Sequence, residues 1–343
     1  MTTSTEARRE TRDEYRHVAR ELTFDQPVER SLVHRDAVAE VFVTDSATAG
    51  TDTYAIAAQL PRAHSYHNDH LTGSVLTDPL LLLECFRQAG TVAAHRHLGV
   101  PGGTAFLIAD LAVRFDADRL LADADEGRGP RELLILLTAE DQRRNGDRLL
   151  STTLVAEFQV AGRHLGSGDI SAAYMPGDGY RAFRARRRGS PAPMSDELPA
   201  GEPDAAVAGH LVGRRLRENV VLCDARHRPG HATARVDVPV THPSLFDHPL
   251  DHVPAMVLLE AARQASLLAA SDGESTADLL PVGLRARFHR FAELDAPIDL
   301  VVDVSPGVPD DHAHRRARQV ATVEFRQMDA VVCDIDLTLA SLH

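Results

Sequence analysis

Residues 61–70 read PRAHSYHNDH and residues 78–94 read DPLLLLECFRQAGTVAA; residues 239–248 read PVTHPSLFDH and residues 254–270 read PAMVLLEAARQASLLAA. Pro61, His64, Asp69 and His70 return as Pro239, His242, Asp247 and His248 at an offset of 178. After a two-residue deletion, Glu84, Arg87 and Gln88 return as Glu260, Arg263 and Gln264 at an offset of 176. A period of that size is a duplicated domain and not a solenoid repeat. Glu, Arg and Gln at i, i+3 and i+4 share one helical face. The rest of each segment is apolar on nearly every side, as a fully buried helix is. Charges in such a helix are costly unless paired, yet both copies keep them.

The surrounding pattern is the same in each half. Two extended segments (37–45 and 53–61; 217–225 and 232–240) precede a His-rich loop and the long helix, predicted over 78–97 and 254–270. Asp78 is a good N-cap, with Pro79 at the first helical position. Four alternating, β-branched runs follow: 105–115, 131–140, 148–161 and a strand ending ISAAYM, then 282–291, 299–306, 318–328 and 330–342. The order β–β–α–β–β–β–β around an all-apolar helix is that of a hotdog domain. The predicted class is therefore α+β, a double hotdog: two tandem domains, each a curved antiparallel sheet wrapped around a central helix. Predicted boundaries are an N-terminal extension over 1–30, a first domain over 31–174, a Pro/Gly-rich linker over 175–208 and a second domain over 209–343. The linker carries a basic segment, Arg184 to Arg188. It reads as a solvated charge run, or as a surface for an acidic partner.

Composition narrows the function. The 343 residues carry a net charge of −13, which opposes binding to nucleic acid or to an anionic membrane. Three cysteines without a CxxC spacing fit a reducing, cytoplasmic setting. The charged N-terminus lacks a signal-peptide apolar core, and Glu84, Arg87 and Gln88 interrupt the longest apolar stretch, so no membrane span is expected. Gly99–Gly103 reads as a helix C-cap turn and not as a phosphate loop, and Cys85 reads as core. No metal is expected, because no histidine pair has helical ligand spacing, and no cofactor is expected.

The duplicated polar residues admit two readings. Each Glu–Arg pair pins its own helix to its sheet, or both helices feed an active site between the domains. His70 lies fourteen residues before Glu84, and His248 twelve before Glu260. A histidine with a carboxylate can act as a general base near neutral pH. His64 and His242, both in P-x-x-H, read as loop histidines bonded to backbone. Arg285 and Arg287 alternate on one face of a predicted strand, where they meet an anionic ligand or solvent.

The segments VHRDAVAEVFVTD (33–45), LLLLECFRQAG (80–90) and FDHPLDHVPAMVLLEAARQA (246–265), with the terminal β run, resemble the A-factor synthase family, which makes γ-butyrolactone signalling molecules. The resemblance covers about residue 30 to the end. It implies condensation of a β-ketoacyl chain, carried on acyl carrier protein, with dihydroxyacetone phosphate to give a phosphorylated ester. It implies catalytic roles for Glu84 and Arg263, then for His70, His248 and Glu260. Arg87, Gln88, Gln264, Arg285 and Arg287 are substrate-binding candidates. Glu84 is expected to be the acid/base, with Arg263 from the other copy holding phosphate or orienting the carboxylate. The hotdog likeness leaves a β-hydroxyacyl-ACP dehydratase, a thioesterase or a non-catalytic ligand-binding regulator as alternatives. The expected assembly is a monomer acting as a pseudo-dimer, or a homodimer.

Overall fold

The computed structural model describes residues 17–71, 77–125, 131–199, 205–271, 276–307 and 317–342. They form two compact units. Of these described residues, unit 1 takes those that fall within 1–62, 81–108 and 126–180, and unit 2 those within 63–80, 109–125 and 181–343. The division does not follow the repeat. The His-rich loop of the first copy, with Asp78, Pro79 and Leu80, belongs to unit 2 together with the whole second copy.

In unit 1 the strands β1 (Val43–Gly50), β2 (Thr53–Leu60), β4 (Arg131–Asn145), β5 (Arg148–Val160) and β6 (Arg163–Pro176) are antiparallel neighbours in that order. Helix α1 (Pro79–Arg96) supplies the core from Leu81 onward. Leu133, Ile135 and Leu137 of β4 alternate into that core, as do Leu154, Ala156 and Phe158 of β5. Phe86 meets Phe158 edge to face, with ring centroids 5.6 Å apart. Each leucine, isoleucine and phenylalanine among them stabilises the fold by roughly 1.5–3 kcal/mol on burial. Gly90 lets the helix come close: a Cβ there would stand 2.9 Å from Leu154 Cδ1.

In unit 2 the order is β7 (Leu222–Arg228), β8 (His231–Val236), β10 (Asp299–Pro306), β11 (Arg318–Gln327), β12 (Ala330–Ser341), β9 (Leu279–Phe288). The second half of β3 (Thr104–Phe115) continues it, Asp110–Arg114 pairing with Arg287–Gly283. Helix α4 (Ala255–Ala270) packs on this sheet. Leu300, Val302, Val323, Phe325, Ile335 and Leu337 are buried beneath it, and the alternate residues of β10 face solvent. The long helices thus begin and end within a residue or two of their predicted limits, and all predicted strand runs form.

Three stretches differ from expectation. Val38–Glu40 and Arg217–Asn219 are single 3-10 turns ahead of β1 and β7, so the first extended segments start later than predicted. Residues 117–125 form helix α2 (Ala117–Asp125), whose pattern is too short to stand out. The stretch read as a solvated linker forms helix α3 (Gly177–Arg188), because Arg184 is an anchor and not a surface charge: it is 3% exposed and ion-paired. Of the N-terminal extension, residues 1–16 lie outside the described residues. Leu22 and Val28 beyond them are buried in unit 1, where Leu22 joins Ala49, Ala55 and Ala57. Among the described residues no helix is long and apolar enough to cross a membrane.

Candidate functional site

The two buried glutamates sit in parallel settings, each within its own unit. In unit 1, Glu84 receives Arg35 Nη2 at 2.7 Å, Arg87 Nε and Nη2 at 2.8 Å, and Gln88 Nε2 at 2.7 Å. Gln88 also accepts from the Phe42 amide at 2.9 Å and donates to the Glu40 carbonyl at 2.7 Å. Burial raises the Glu84 pKa, but the Arg35 and Arg87 charges and the hydrogen bonds outweigh it and hold the carboxyl far below the usual range. A carboxylate so fully engaged is a poor proton acceptor.

In unit 2, Glu260 receives Arg214 Nε at 2.9 Å, the Tyr66 hydroxyl at 3.0 Å, Arg263 Nη2 and Gln264 Nε2. Gln264 accepts from the Val221 amide at 3.0 Å and donates to the Asn219 carbonyl at 2.7 Å, as Gln88 does in unit 1. Here too the Arg214 and Arg263 charges overcome burial and lower the pKa of Glu260. Burial, then the neighbouring Glu260 charge, push the Tyr66 phenol well above its ordinary value, so it stays a donor.

The first-copy loop is fastened into this cluster. Arg214 Nη1 donates to the Tyr66 and Asp69 carbonyls at 2.6 and 2.7 Å, and its guanidinium lies 4.5 Å from the Tyr66 ring centre. Asp69 accepts from the Arg215 and Leu216 amides and from Asn219 Nδ2. Asn219 Oδ1 meets His242 Nε2 at 2.9 Å. His64 and His242 accept backbone amides at Nδ1, the capping role expected of loop histidines.

Unit 2 departs from unit 1 at Asp78. Its Oδ1 accepts the Leu80 amide at 2.8 Å and so caps helix α1, while Oδ2 takes Arg263 Nη1 at 2.9 Å. At the position 176 residues on, the second copy has Pro254. Both terminal nitrogens of Arg263 are therefore taken, by Asp78 and Glu260. Of its two expected roles, the geometry favours orienting carboxylates over holding phosphate.

Beside this pair lies a small cavity. Its polar end is formed by His70, Asp78 and Arg263, and its walls by Pro79, Leu267 and Leu280. Gly213 is also on its wall, left-handed at φ 74°, where a Cβ would stand 2.8 Å from Leu267 Cδ1. The cavity thus opens at the start of α1, where the helix dipole is positive.

Burial alone would raise the Asp78 pKa, but Arg263, Arg214, His67 and His70 bring it down from 3.8 to about 2. The carboxylate is thus favoured in the folded state. Its contribution is complete above pH 4 or so and is lost as pH falls towards 2, about 2 kcal/mol in all. Denaturant midpoints measured down this range are expected to fall in both proteins, because other buried carboxylates also titrate, and to fall less in Asp78→Asn by about that amount. Identical acid slopes would contradict the assignment.

Several expectations need correction. Glu84 and Arg263 do not form one pair, since Arg35 and Arg87 hold the first while Asp78 and Glu260 hold the second. Arg285 and Arg287 lie exposed on the sheet face opposite Asp110 and Asp336, which compensate their charge. His248 is about one-third exposed and pairs with Asp247 at 3.4 Å, away from the cavity's lining. Sequence reasoning missed Arg35 and Arg214, although L-V-x-R stands at 32–35 and again at 211–214. It also missed Tyr66, and gave Asp78 a cap alone. Among the described residues no group of three His, Cys, Asp or Glu side chains is placed to hold a metal, and the three cysteines are buried thiols.

The sequence pattern of the A-factor biosynthesis hotdog domain matches residues 18–176 and again 197–342. A 2-oxo-3-(phosphooxy)propyl 3-oxoalkanoate synthase of Streptomyces virginiae is 36% identical over 85% of this chain and 91% of its own length. Synthases of the same description from Streptomyces griseus and Streptomyces coelicolor are each 32% identical, over 83% and 82% of this chain and 88% and 83% of their own lengths.

Proposed function

We propose, for a chain that belongs to the A-factor biosynthesis hotdog domain family, that an acyl group changes hands at the start of α1, beside a cavity whose free space of about 30 Å³ holds little more than a water and has to widen around the substrates. The protein is a synthase that joins a 3-oxoalkanoate to a phosphooxypropyl unit, as the names of its relatives describe. The alcohol from which such an ester is built is dihydroxyacetone phosphate. The acyl donor is a thioester, and we take its carrier to be acyl carrier protein.

The step is a transesterification. The free hydroxyl oxygen of dihydroxyacetone phosphate attacks the thioester carbonyl carbon, a C–O bond forms, and the C–S bond breaks. The hydroxyl proton leaves through a base, and the thiolate departs as a thiol. His70 is the base. It lines the cavity's polar end beside Asp78, and a neutral imidazole can take and return a proton near neutral pH. Asp78 and Glu260 are unsuited to that task, because their arginine partners keep them as engaged carboxylates. Arg263 positions Asp78, and the positive end of α1 faces charge developing on the carbonyl oxygen. The observation that carries this reading is the convergence of His70 with the Asp78–Arg263 pair on one cavity at a helix N-terminus.

The test is mass spectrometry of the protein with a 3-oxoacyl carrier thioester, with and without dihydroxyacetone phosphate. Formation of the phosphorylated ester only when the phosphate is present is expected. Free acid or a dehydrated acyl chain formed without it would point to a thioesterase or dehydratase instead.

A further inference from the structure

We infer that the arginine-lined cleft beside helix α3 is the surface on which an acidic carrier protein docks to deliver the acyl thioester. This rests on the carrier-borne donor proposed above. The cleft, about 540 Å³, lies wholly in unit 2, between α3 and the chain around Arg290 to Ala296. Two of its arginines build it. Arg184 bonds Asp251 at 3.0 Å and Glu293 at 2.9 Å, and its guanidinium stacks 4.1 Å from the Phe291 ring centre. Arg188 bonds Glu293 at 2.6 Å and also Asp295. These pairs use up the local carboxylates and fix the helix.

Arg187 and Arg290 remain. Both line the cleft, both are exposed, and neither has a carboxylate within ion-pair distance among the described residues. Apolar surface lies beside them: the half-buried Phe291, and Met328, 72% exposed at the β11–β12 turn. Uncompensated guanidiniums next to an aromatic ring and a methionine have the composition of a protein interface. Rim arginines in water steer an oppositely charged partner, and do so best at low salt. The chain as a whole carries −13 and repels an acidic protein elsewhere on its surface. A locally cationic groove therefore selects both the partner and the face it uses. A small free anion would be held better by buried donors, and here the uncompensated charges are on the rim.

The experiment uses the full chain with Arg187→Glu and Arg290→Glu together. Neither residue belongs to the acyl-transfer site, and neither holds an ion pair whose loss would unfold the protein. The probe is an acyl carrier protein labelled on its phosphopantetheine thiol, titrated by fluorescence anisotropy at low and high salt. The natural protein is expected to bind more weakly as salt rises. The variant is expected to bind ~10-fold or more weakly at low salt and to lose the salt dependence. With a 3-oxoacyl carrier thioester its KM is expected to rise in step, whereas kinetics with the same acyl group on a small thiol stay unchanged. Unchanged carrier affinity, or an equal loss with the small-thiol thioester, overturns the docking site. Anisotropy needs no turnover, so failure of the ester-forming reaction would defeat the synthase reading separately while the binding result still decides this one.

Discussion

Replacing His70 with asparagine is expected to slow ester formation by ~10²–10⁴-fold and to leave the thermal transition close to that of the natural protein. Three ionisable side chains line the cavity's polar end, His70, Asp78 and Arg263. Asp78 is already committed to Arg263 and to the Leu80 amide, and Arg263 is a cation held between two carboxylates. Only the histidine is of a type that exchanges protons near neutral pH. Asparagine keeps a polar group of similar size there, so the loss tests proton transfer and not packing. A general base works when unprotonated, so the natural protein is also expected to lose kcat/KM on the acid side, and the residual activity of the variant to lack that limb. Near-normal turnover by folded His70→Asn would place the base elsewhere. If that variant unfolds, the same measurement on His70→Gln decides between structure and chemistry.

Much of this was legible in the sequence, for a physical reason. Helices 79–96 and 255–270 are apolar on nearly every side, so other elements have to wrap them, and the strands announce themselves by alternation. The duplicated Glu, Arg and Gln are conspicuous because charge inside such a helix demands partners. What stayed hidden was the identity of those partners. Arg35 and Arg214 lie about fifty residues upstream in polar stretches, where an arginine looks ordinary until the fold brings it to a buried carboxylate. Asp78 gave a local cap signal that masked its second bond. Helix α3 was hidden by its own charge, since five arginines in twelve residues look solvated, and only the Asp251 and Glu293 partners make Arg184 an interior residue. The repeat itself also misled. Two copies of E-x-x-R-Q suggested equal roles, whereas Tyr66 and Asp78 of the first-copy loop join the second-copy helix within unit 2.

Glu84→Ala is expected to lose stability rather than chemistry. The carboxylate is 1% exposed and accepts from three side chains at once. Its removal takes the Glu84 counter-charge from the Arg35 guanidinium, 8% exposed, and from that of Arg87, which is 22% exposed. Deleting one partner of a buried ion pair costs ~3–5 kcal/mol; the lower end applies here, because Arg87 keeps contact with water and is screened. A domain is stable by about 5–15 kcal/mol in all, so the variant is expected to unfold at a clearly lower denaturant concentration. Gln88, which ties the helix to the Phe42 amide and the Glu40 carbonyl, would lose its third bond as well. Glu84→Gln retains an acceptor for these donors but not the charge, and should fall between the two. Activity per folded molecule is expected to stay within the range of the natural protein for both. The opposite pattern, a stable Glu84→Ala protein that makes no ester, would return the catalytic role to the first helix and make Arg35 and Arg87 its ligands. Glu260→Ala supplies the contrast, because that carboxylate holds Arg263 and Tyr66 next to the cavity, so its loss should lower stability and turnover together.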